Sequence, residues 1–253
     1  SEPLRNPFNV SAIEIIPLSA IGEVLAGEDL IATLDRAVAS AATQLGPRDV
    51  LIVTQKIVSK AEGRSVVLGD VVPGAEALRL AEVTRKDARL VELVLRESSD
   101  VVRAVPNVLI TRHKLGLVMA NAGIDRSNIG AGDDERALLL PVDPDASAAR
   151  ISEALGCPVV ISDSFGRPWR MGVVAVGIGA AGLPAIDDRR GLLDRDGRKL
   201  EVTQIAVADL LASAAALAMG EGGEGIPAVI VRGYVVAGAA RPAADLTRPL
   251  AED

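Results

Sequence analysis

The chain has 253 residues, of which 49% are hydrophobic and 24% are charged, and its formal net charge is −7. Such a chain can bury a sizeable core, and its acidic balance argues against broad binding to nucleic acids or anionic membranes, which needs a basic face. The single histidine, His113, and the single cysteine, Cys157, exclude a multi-histidine metal site and an intrachain disulfide.

No uninterrupted apolar run approaches the roughly 20 residues of a membrane span. The segment Ser1 to Asn9 lacks the apolar core of a secretory signal, and a lone cysteine suits a reducing compartment. We therefore expect a cytoplasmic protein without a membrane span. Its chemistry should depend on carboxylates, hydroxyls, Lys, Arg and a hard cation.

Apolar periodicity predicts both strands and helices along the chain, with no internal repeat and no clear interdomain linker. The predicted strands are 12–16, 50–53, 108–110, 115–119, 137–140, 159–161, 172–176 and 226–231. The predicted helices are 29–45, 76–96, 146–155 and 202–219.

Two lysines follow the strand at 50–53. Lys56 and Lys60 are four residues apart, so a helical turn would place both ammonium groups on one face. Two neighbouring cations repel each other unless an anion joins them, which favours phosphate binding. Two solvated surface lysines are the common alternative.

A loop rich in Asn, Gly and Asp follows the strand at 115–119. Asn121, Asp125 and Asn128 could offer oxygen atoms to one cation or to a ribose. The alternative is an ordinary turn, in which such residues are frequent.

Polar residues also follow the short apolar run Val159 to Ile161. We expect this strand to end before Gly166, which would place Asp163 and Ser164 in a loop at its end, a common position for catalytic groups in α/β folds. Their oxygen atoms suit Mg²⁺ or Mn²⁺. Arg167 and Arg170 add positive charge suited to phosphate, and the only Trp of the chain, Trp169, lies between them. The alternative is a structural turn with paired arginines.

Two glycine-rich segments have to be interpreted. Gly177 to Gly182 matches G-x-G-x-x-G, but Pro184 falls where a Rossmann helix should begin, so we interpret these glycines as sites of close backbone packing. The segment 220–225 indicates a hinge or a backbone cradle for phosphate or base. No G-x-x-x-x-G-K-[ST] motif is present, so a bound nucleotide would not use a P-loop.

Four blocks resemble, in order, the signatures of the coenzyme F-420-0:L-glutamate ligase family, the GTP-dependent enzymes that add the γ-linked glutamate tail to the deazaflavin coenzyme F-420. The blocks are Gln55 to Gly63, Ala120 to Asn128, Ser162 to Arg170, and Gly225 to Pro227 with Arg232-Gly233. The resemblance runs from about Ile15 to Gly233. It implies a mixed α/β fold of its own type, with mixed sheets flanked by helices around a cleft, neither P-loop nor Rossmann, in a homodimer.

The resemblance also implies roles for particular residues. Divalent-metal ligands would be Asp125, Asp163 and Ser164. Catalytic cations would be Lys56, Lys60 and Arg167. Contacts to GTP would come from Pro17, Leu18, Ser19, Ala20, Gln55, Lys56, Lys60, Asn128, Met219, Gly220, Glu221, Gly222, Gly223, Glu224, Gly225 and Ile226. The metal would be Mg²⁺ or Mn²⁺, with K⁺ as a further candidate. Glu221 to Glu224 depart from the Gln-Ala-Asp-like sequence that we expect in the family.

The expected protein is one ligase unit over residues 1–253, with two intertwined subdomains as an option and no fused C-terminal flavin domain. It would use GTP to activate the carboxylate of the F-420 precursor as an acyl phosphate, which the amine of L-glutamate then attacks. Glu62 is a candidate general base. The alternatives are a non-catalytic nucleotide-binding protein, an oxidoreductase that uses Gly177 to Gly182, and a related ligase with another acidic acceptor.

Overall fold

The computed structural model describes residues 12–46, 48–126, 135–234 and 238–249. The predicted GTP contact Asn128 lies outside these residues. The helices are α1 Leu30–Ser40, α2 Gln55–Ala61, α3 Ala75–Thr84, α4 Ala88–Glu97, α5 Pro144–Leu155 and α6 Val207–Met219. The strands are β1 Glu14–Pro17, β2 Asp49–Thr54, β3 Ser65–Val67, β4 Ser98–Val105, β5 Val108–His113, β6 Val118–Ala120, β7 Arg136–Leu138, β8 Val159–Arg167, β9 Arg170–Ala181, β10 Ile186–Asp188, β11 Gln204–Ala206 and β12 Ala228–Arg232.

A five-stranded sheet organises the fold, in the order β1-β12-β2-β8-β9. Strands β2 and β8 are parallel, and the other neighbours are antiparallel. The central strands β2 and β12 are buried along almost their whole length, which explains their continuous apolar sequences. The predicted mixed α/β fold class is confirmed. No helix of the described residues is long and apolar enough to cross a bilayer.

Helices cover both faces of this sheet. Leu34 of α1, Ile57 of α2 and Ile151 of α5 belong to the core on one face. Leu211 of α6 belongs to the core on the other face, where small alanines allow α6 to approach the strands closely. A third hydrophobic core is distinct from these two. It packs α3 and α4 against β4, β5 and the β3–β7 pair.

The prediction of one helix over 76–96 was wrong. Arg85 adopts a left-handed conformation with φ 56°, which ends α3, and the Asp87 side chain accepts a hydrogen bond from the Arg89 N–H at the start of α4. Both helices keep the same apolar stripe, so periodicity alone did not reveal the break.

The predicted end of the strand at 159–161 was also wrong. Strand β8 continues to Arg167, because β9 supplies backbone partners along its whole length and glycine is tolerated in a hairpin. Asp163 and Ser164 therefore lie inside a strand and not in a loop. Beyond Ser162, β8 no longer pairs with β2, so the hairpin leaves the sheet as a two-stranded ribbon.

The interpretation of Gly177 and Gly179 as packing glycines is confirmed. A Cβ atom on Gly177 would lie 2.7 Å from the Ala208 Cβ, and one on Gly179 would lie 2.4 Å from the Pro144 carbonyl oxygen. Helices α6 and α5 thus press against β9 at these positions. Since the helices already occupy this space, a dinucleotide cannot approach the glycines, which argues against the oxidoreductase alternative.

Candidate functional site

A cleft of about 760 Å³ opens where the parallel strands β2 and β8 reach their carboxyl ends. Loops converge at such an edge, and it is a usual position for ligand sites in α/β sheets. The cleft is lined by Ile21, Gly22, Glu23, Val24, Thr54, Gln55, Lys56, Ile57, Lys60, Arg126, Ser162, Asp163, Ser164, Ala175, Ala216, Met219, Gly220, Glu221, Gly222, Gly223, Gly225, Ile226 and Pro227.

Helix α2 brings both predicted lysines into the cleft, Lys56 from its first turn and Lys60 from its last. The Lys56 Nζ lies 2.8 Å from Asp125 Oδ2, and the Lys60 Nζ lies 2.7 Å from Glu23 Oε1. Each ammonium group therefore has a carboxylate partner. Gln55 is buried and accepts a hydrogen bond from the Ser59 hydroxyl, so its side chain steadies the helix.

Asp163 occupies an acidic part of the cleft. The pKa of its carboxyl group is raised to about 7, chiefly by burial, and the nearby charges of Asp125 and Glu221 act in the same direction. The Ser164 backbone N–H and the Lys56 ammonium act in the opposite direction. Among the described residues, three carboxyl groups therefore lie near the Lys56 ammonium, an acidic setting that suits a bound cation.

The chemistry of these residues suits a hard cation, because carboxylate and hydroxyl oxygens are its preferred ligands. The structure brings Asp125 and Asp163 close enough for their charges to interact. Among the described residues, no three acidic, His or Cys side chains already surround one point. In place of a metal, Asp125 holds the Lys56 ammonium and Ser164 donates to Glu221, at 2.7 Å from Oε1. Asp125 and Ser164 would therefore have to give up these partners in order to bind a metal.

The glycine-rich segment after α6 forms one wall of the cleft. Met219 is buried, and Gly220 and Gly225 have left-handed φ values of 69° and 67°, which glycine adopts without strain. The Glu221 side chain reaches Ser164 across the cleft. The Glu224 carboxylate instead accepts the Gly222 N–H at 2.8 Å and does not line the cleft.

Comparison with known sequences identifies the family. The sequence profile described as F420-0:Gamma-glutamyl ligase matches residues 20–233. The chain belongs to the F420-0:gamma-glutamyl ligase family. It is 45% identical to the coenzyme F420:L-glutamate ligase of Methanothermobacter thermautotrophicus, over 88% of this chain and 89% of that protein. It is 42% identical to the enzyme of that name from Archaeoglobus fulgidus, over 89% of this chain and 90% of that protein.

The cleft of this ligase-family chain omits several residues predicted to act in it. Leu18 is fully buried in the core, and none of Pro17 to Ala20 lines the cleft; residues 21–24 of the same segment line it instead. Arg167 lies farther along the ribbon, where its Nη2 donates to the Met171 carbonyl at 3.3 Å. Glu62 accepts hydrogen bonds from Ser147 and Arg150 outside the cleft.

Two residues of the cleft, Glu23 and Arg126, were missed from the sequence, and the contact of a third, Glu221, with Ser164 was not predicted. Glu23 lies 37 residues from its partner Lys60, and Glu221 lies 57 residues from its partner Ser164. Arg126 lines the cleft and lies 3.5 Å from Glu135. No local pattern marks Glu23. Glu221 was predicted only as part of a nucleotide-binding turn, although its departure from the expected family sequence was a signal.

Proposed function

We propose that this chain is a GTP- and divalent-metal-dependent ligase that adds L-glutamate to the deazaflavin coenzyme F-420 precursor through a γ-glutamyl-type amide bond. Family membership and the names of the relatives support the reaction. The single observation that carries the proposal is that Lys56 lies beside Asp125 and acts on Asp163, in the cleft that Lys60 and Ser164 also line. Cations for phosphate and oxygen ligands for a metal thus share one cleft.

The nucleotide would lie between α2 and the glycine-rich wall. The cleft volume of about 760 Å³ is in the range usual for small-molecule sites. Lys56 and Lys60 would bind phosphate oxygens, and the backbone N–H groups of the segment 220–225 would face the nucleotide. To do so, each lysine exchanges its carboxylate partner for phosphate.

Asp125, Asp163 and Ser164 would hold Mg²⁺ or Mn²⁺, with K⁺ as a further candidate. When bound, the metal supplies neutralisation of phosphate charge. Lys56, which now pairs with Asp125, would exchange that carboxylate for the transferring phosphoryl group.

The proposed reaction has two steps. The carboxylate of the acceptor attacks the γ-phosphate of GTP, which forms an acyl phosphate and releases GDP. The amine of L-glutamate then attacks the acyl carbon, which forms the amide and releases phosphate. Such a reaction depends on alignment and charge stabilisation, and Lys56 and Lys60 are the groups in the cleft that would stabilise the transferring phosphoryl group.

Arg167 takes no part in this proposal for the phosphoryl group, because it does not line the cleft. We also propose that the protein is a cytoplasmic homodimer. Light scattering on the purified chain tests the dimer, and a mass equal to one chain across the working concentration range would refute it.

The decisive experiment measures phosphate release from GTP with Mn²⁺. L-Glutamate and the deazaflavin precursor are added separately and then together. We expect release only with both present, accompanied by a product heavier by one or more glutamyl units. Replacing GTP with ATP tests nucleotide preference, which the departure at Glu221 to Glu224 makes informative.

The other outcomes separate the competing functions. GTP binding without phosphate release under any combination would indicate a nucleotide-binding protein. Release with glutamate and a different acidic acceptor would indicate a related ligase. Tight dinucleotide binding without a metal requirement would contradict both the proposal and the packing of Gly177 and Gly179.

A further inference from the structure

The tip of the β8–β9 ribbon carries an unusual apolar surface. Trp169, the only tryptophan of the chain, is fully exposed, as is Met171, and Val173 is half exposed. Large aromatic side chains are mostly covered in folded proteins, because their burial is a major source of stability. This cluster is on the same strand pair that carries Asp163 and Ser164 into the cleft.

The backbone at Trp169 is as unusual as its exposure. Pro168 and Trp169 form the two-residue turn between the paired residues Arg167 and Arg170. Trp169 has φ 53°, in the left-handed region that glycine favours and that is rare for a bulky residue. The chain thus places its only indole where neither packing nor backbone preference calls for one. Strain of this kind is typical of functional positions.

Positive charge surrounds the indole. Arg167 and Arg170 flank the turn, and among the described residues neither forms an ion pair with a carboxylate. The Nε of Arg167 is buried and has no hydrogen-bond partner among the residues that the structure describes. An aromatic surface beside two uncompensated guanidinium groups suits a ligand with a flat ring and a negatively charged chain.

We propose that the ribbon tip binds the aromatic ring of the acceptor, which stacks on Trp169 while Arg167 and Arg170 attract its anionic chain. This inference rests on the proposed ligase function. Arg167 is three residue steps beyond Ser164 along β8, roughly 10 Å at about 3.3 Å per step. An extended acceptor would thus reach from the ribbon tip, where its ring lies, to the cleft, where its carboxylate reacts.

Tryptophan fluorescence tests the proposal directly, because Trp169 is the only tryptophan of the chain and is the source of all its tryptophan emission. Titration of the full chain with the deazaflavin precursor should change this emission in a saturable way. GTP with Mn²⁺ should leave it unchanged, since the cleft lies along the strand from the tip. Unchanged emission at precursor concentrations that saturate turnover would overturn the proposal. So would emission that depends on protein concentration alone, because a second copy would then cover the indole.

Substitutions separate binding from folding. Trp169→Gly suits the left-handed backbone, so it should fold at least as stably as the parent chain. It should raise the KM for the precursor about tenfold or more, the usual loss for one aromatic stacking partner, while the KM for GTP stays constant. Trp169→Phe should retain most of the affinity. Leu193→Ala, which truncates an exposed apolar side chain of a different hairpin, should change neither KM.

The two proposals fail in different ways. Saturable quenching by the precursor without glutamate-dependent phosphate release would refute the ligase function and leave the ring site standing. Ligation with an unchanged precursor KM in Trp169→Gly would refute the ring site and leave the ligase function standing.

Discussion

The two ends of the central sheet each hold a carboxyl group, and their surroundings shift its pKa in opposite directions. At the amino end of β2, Asp49 is 2% exposed and bonds to the Arg232 guanidinium through both oxygens at 2.8 Å. At the other end, Asp163 lies near the acidic side chains of Asp125 and Glu221, and the Lys56 ammonium and the Ser164 backbone N–H act against them. The pKa of Asp49 is lowered by Arg232, whereas burial raises the pKa of Asp163.

This is the difference expected between a structural carboxylate and the proposed functional one. Asp49 is paired with a guanidinium group inside the fold. Asp163 lies among acidic side chains beside an open cleft, where burial disfavours its charged form and a cationic ligand would favour it. Substitutions at the two ends should therefore affect different properties.

The largest expected effect is on activity. Asp163→Asn removes a proposed metal ligand and should reduce GTP-dependent phosphate release about a hundredfold or more, the usual loss for one transition-state contact. Its melting temperature should not fall, because burial already disfavours the carboxylate. Asp35→Asn, an exposed carboxylate on α1, is the matched control and should keep full activity. Normal turnover in Asp163→Asn would contradict the proposal that this cleft is the active site.

The next effect is on stability. Asp49→Asn weakens the charged hydrogen bonds to Arg232, whose guanidinium is partly open to water, and should cost about 1.5 to 3 kcal/mol of unfolding free energy. For a chain of this size that is roughly 3 to 12 °C in melting temperature. Calorimetry measures it, and kcat at a permissive temperature should stay unchanged. A variant that lost activity without losing stability would contradict the division between the two ends.

A third substitution reduces the negative charge near Asp163 without replacing a proposed metal ligand. Glu221→Gln removes one carboxylate from around Asp163 and should lower Mn²⁺ affinity by about tenfold, as losses of supporting groups do. Titration calorimetry with Mn²⁺ on the folded chain measures this. An equal or higher affinity for Mn²⁺ would show that Glu221 holds the Ser164 hydroxyl and does not support cation binding.

The smallest effect is a pH dependence. Because the pKa of Asp49 is lower in the folded chain than its unfolded value of about 3.9, the unfolded chain binds more protons as the pH falls. The stability from this pair is therefore present above about pH 4 and is lost as the pH drops through the folded pKa. In Asp49→Asn, the unfolding free energy should therefore fall less steeply below about pH 4, as measured by urea unfolding at a series of pH values. An unchanged slope would mean that other carboxylates cause the loss of stability in acid.

Much of this site could be predicted from the sequence, for local reasons. Lys56 and Lys60 share a helix face because their spacing matches a turn, and both line the cleft. Asp163 and Ser164 were recognised by their residue types and their place after an apolar run. The element around them was still wrong, because Gly166 and Pro168 were interpreted as the end of a strand, whereas Pro168 and Trp169 form a two-residue turn into β9, which pairs with β8 along its whole length.

The sequence by itself determined the apolar runs of the sheet, the helix faces, the chemistry of the site residues and the family. Those properties depend on spacing along the chain. Only the tertiary structure decided that Asp125 meets Lys56, that Glu221 reaches Ser164 and that Asp49 is neutralised by Arg232. Strand order and register set these pairings, and register is a product of long-range hydrogen bonds and core packing across the whole sheet.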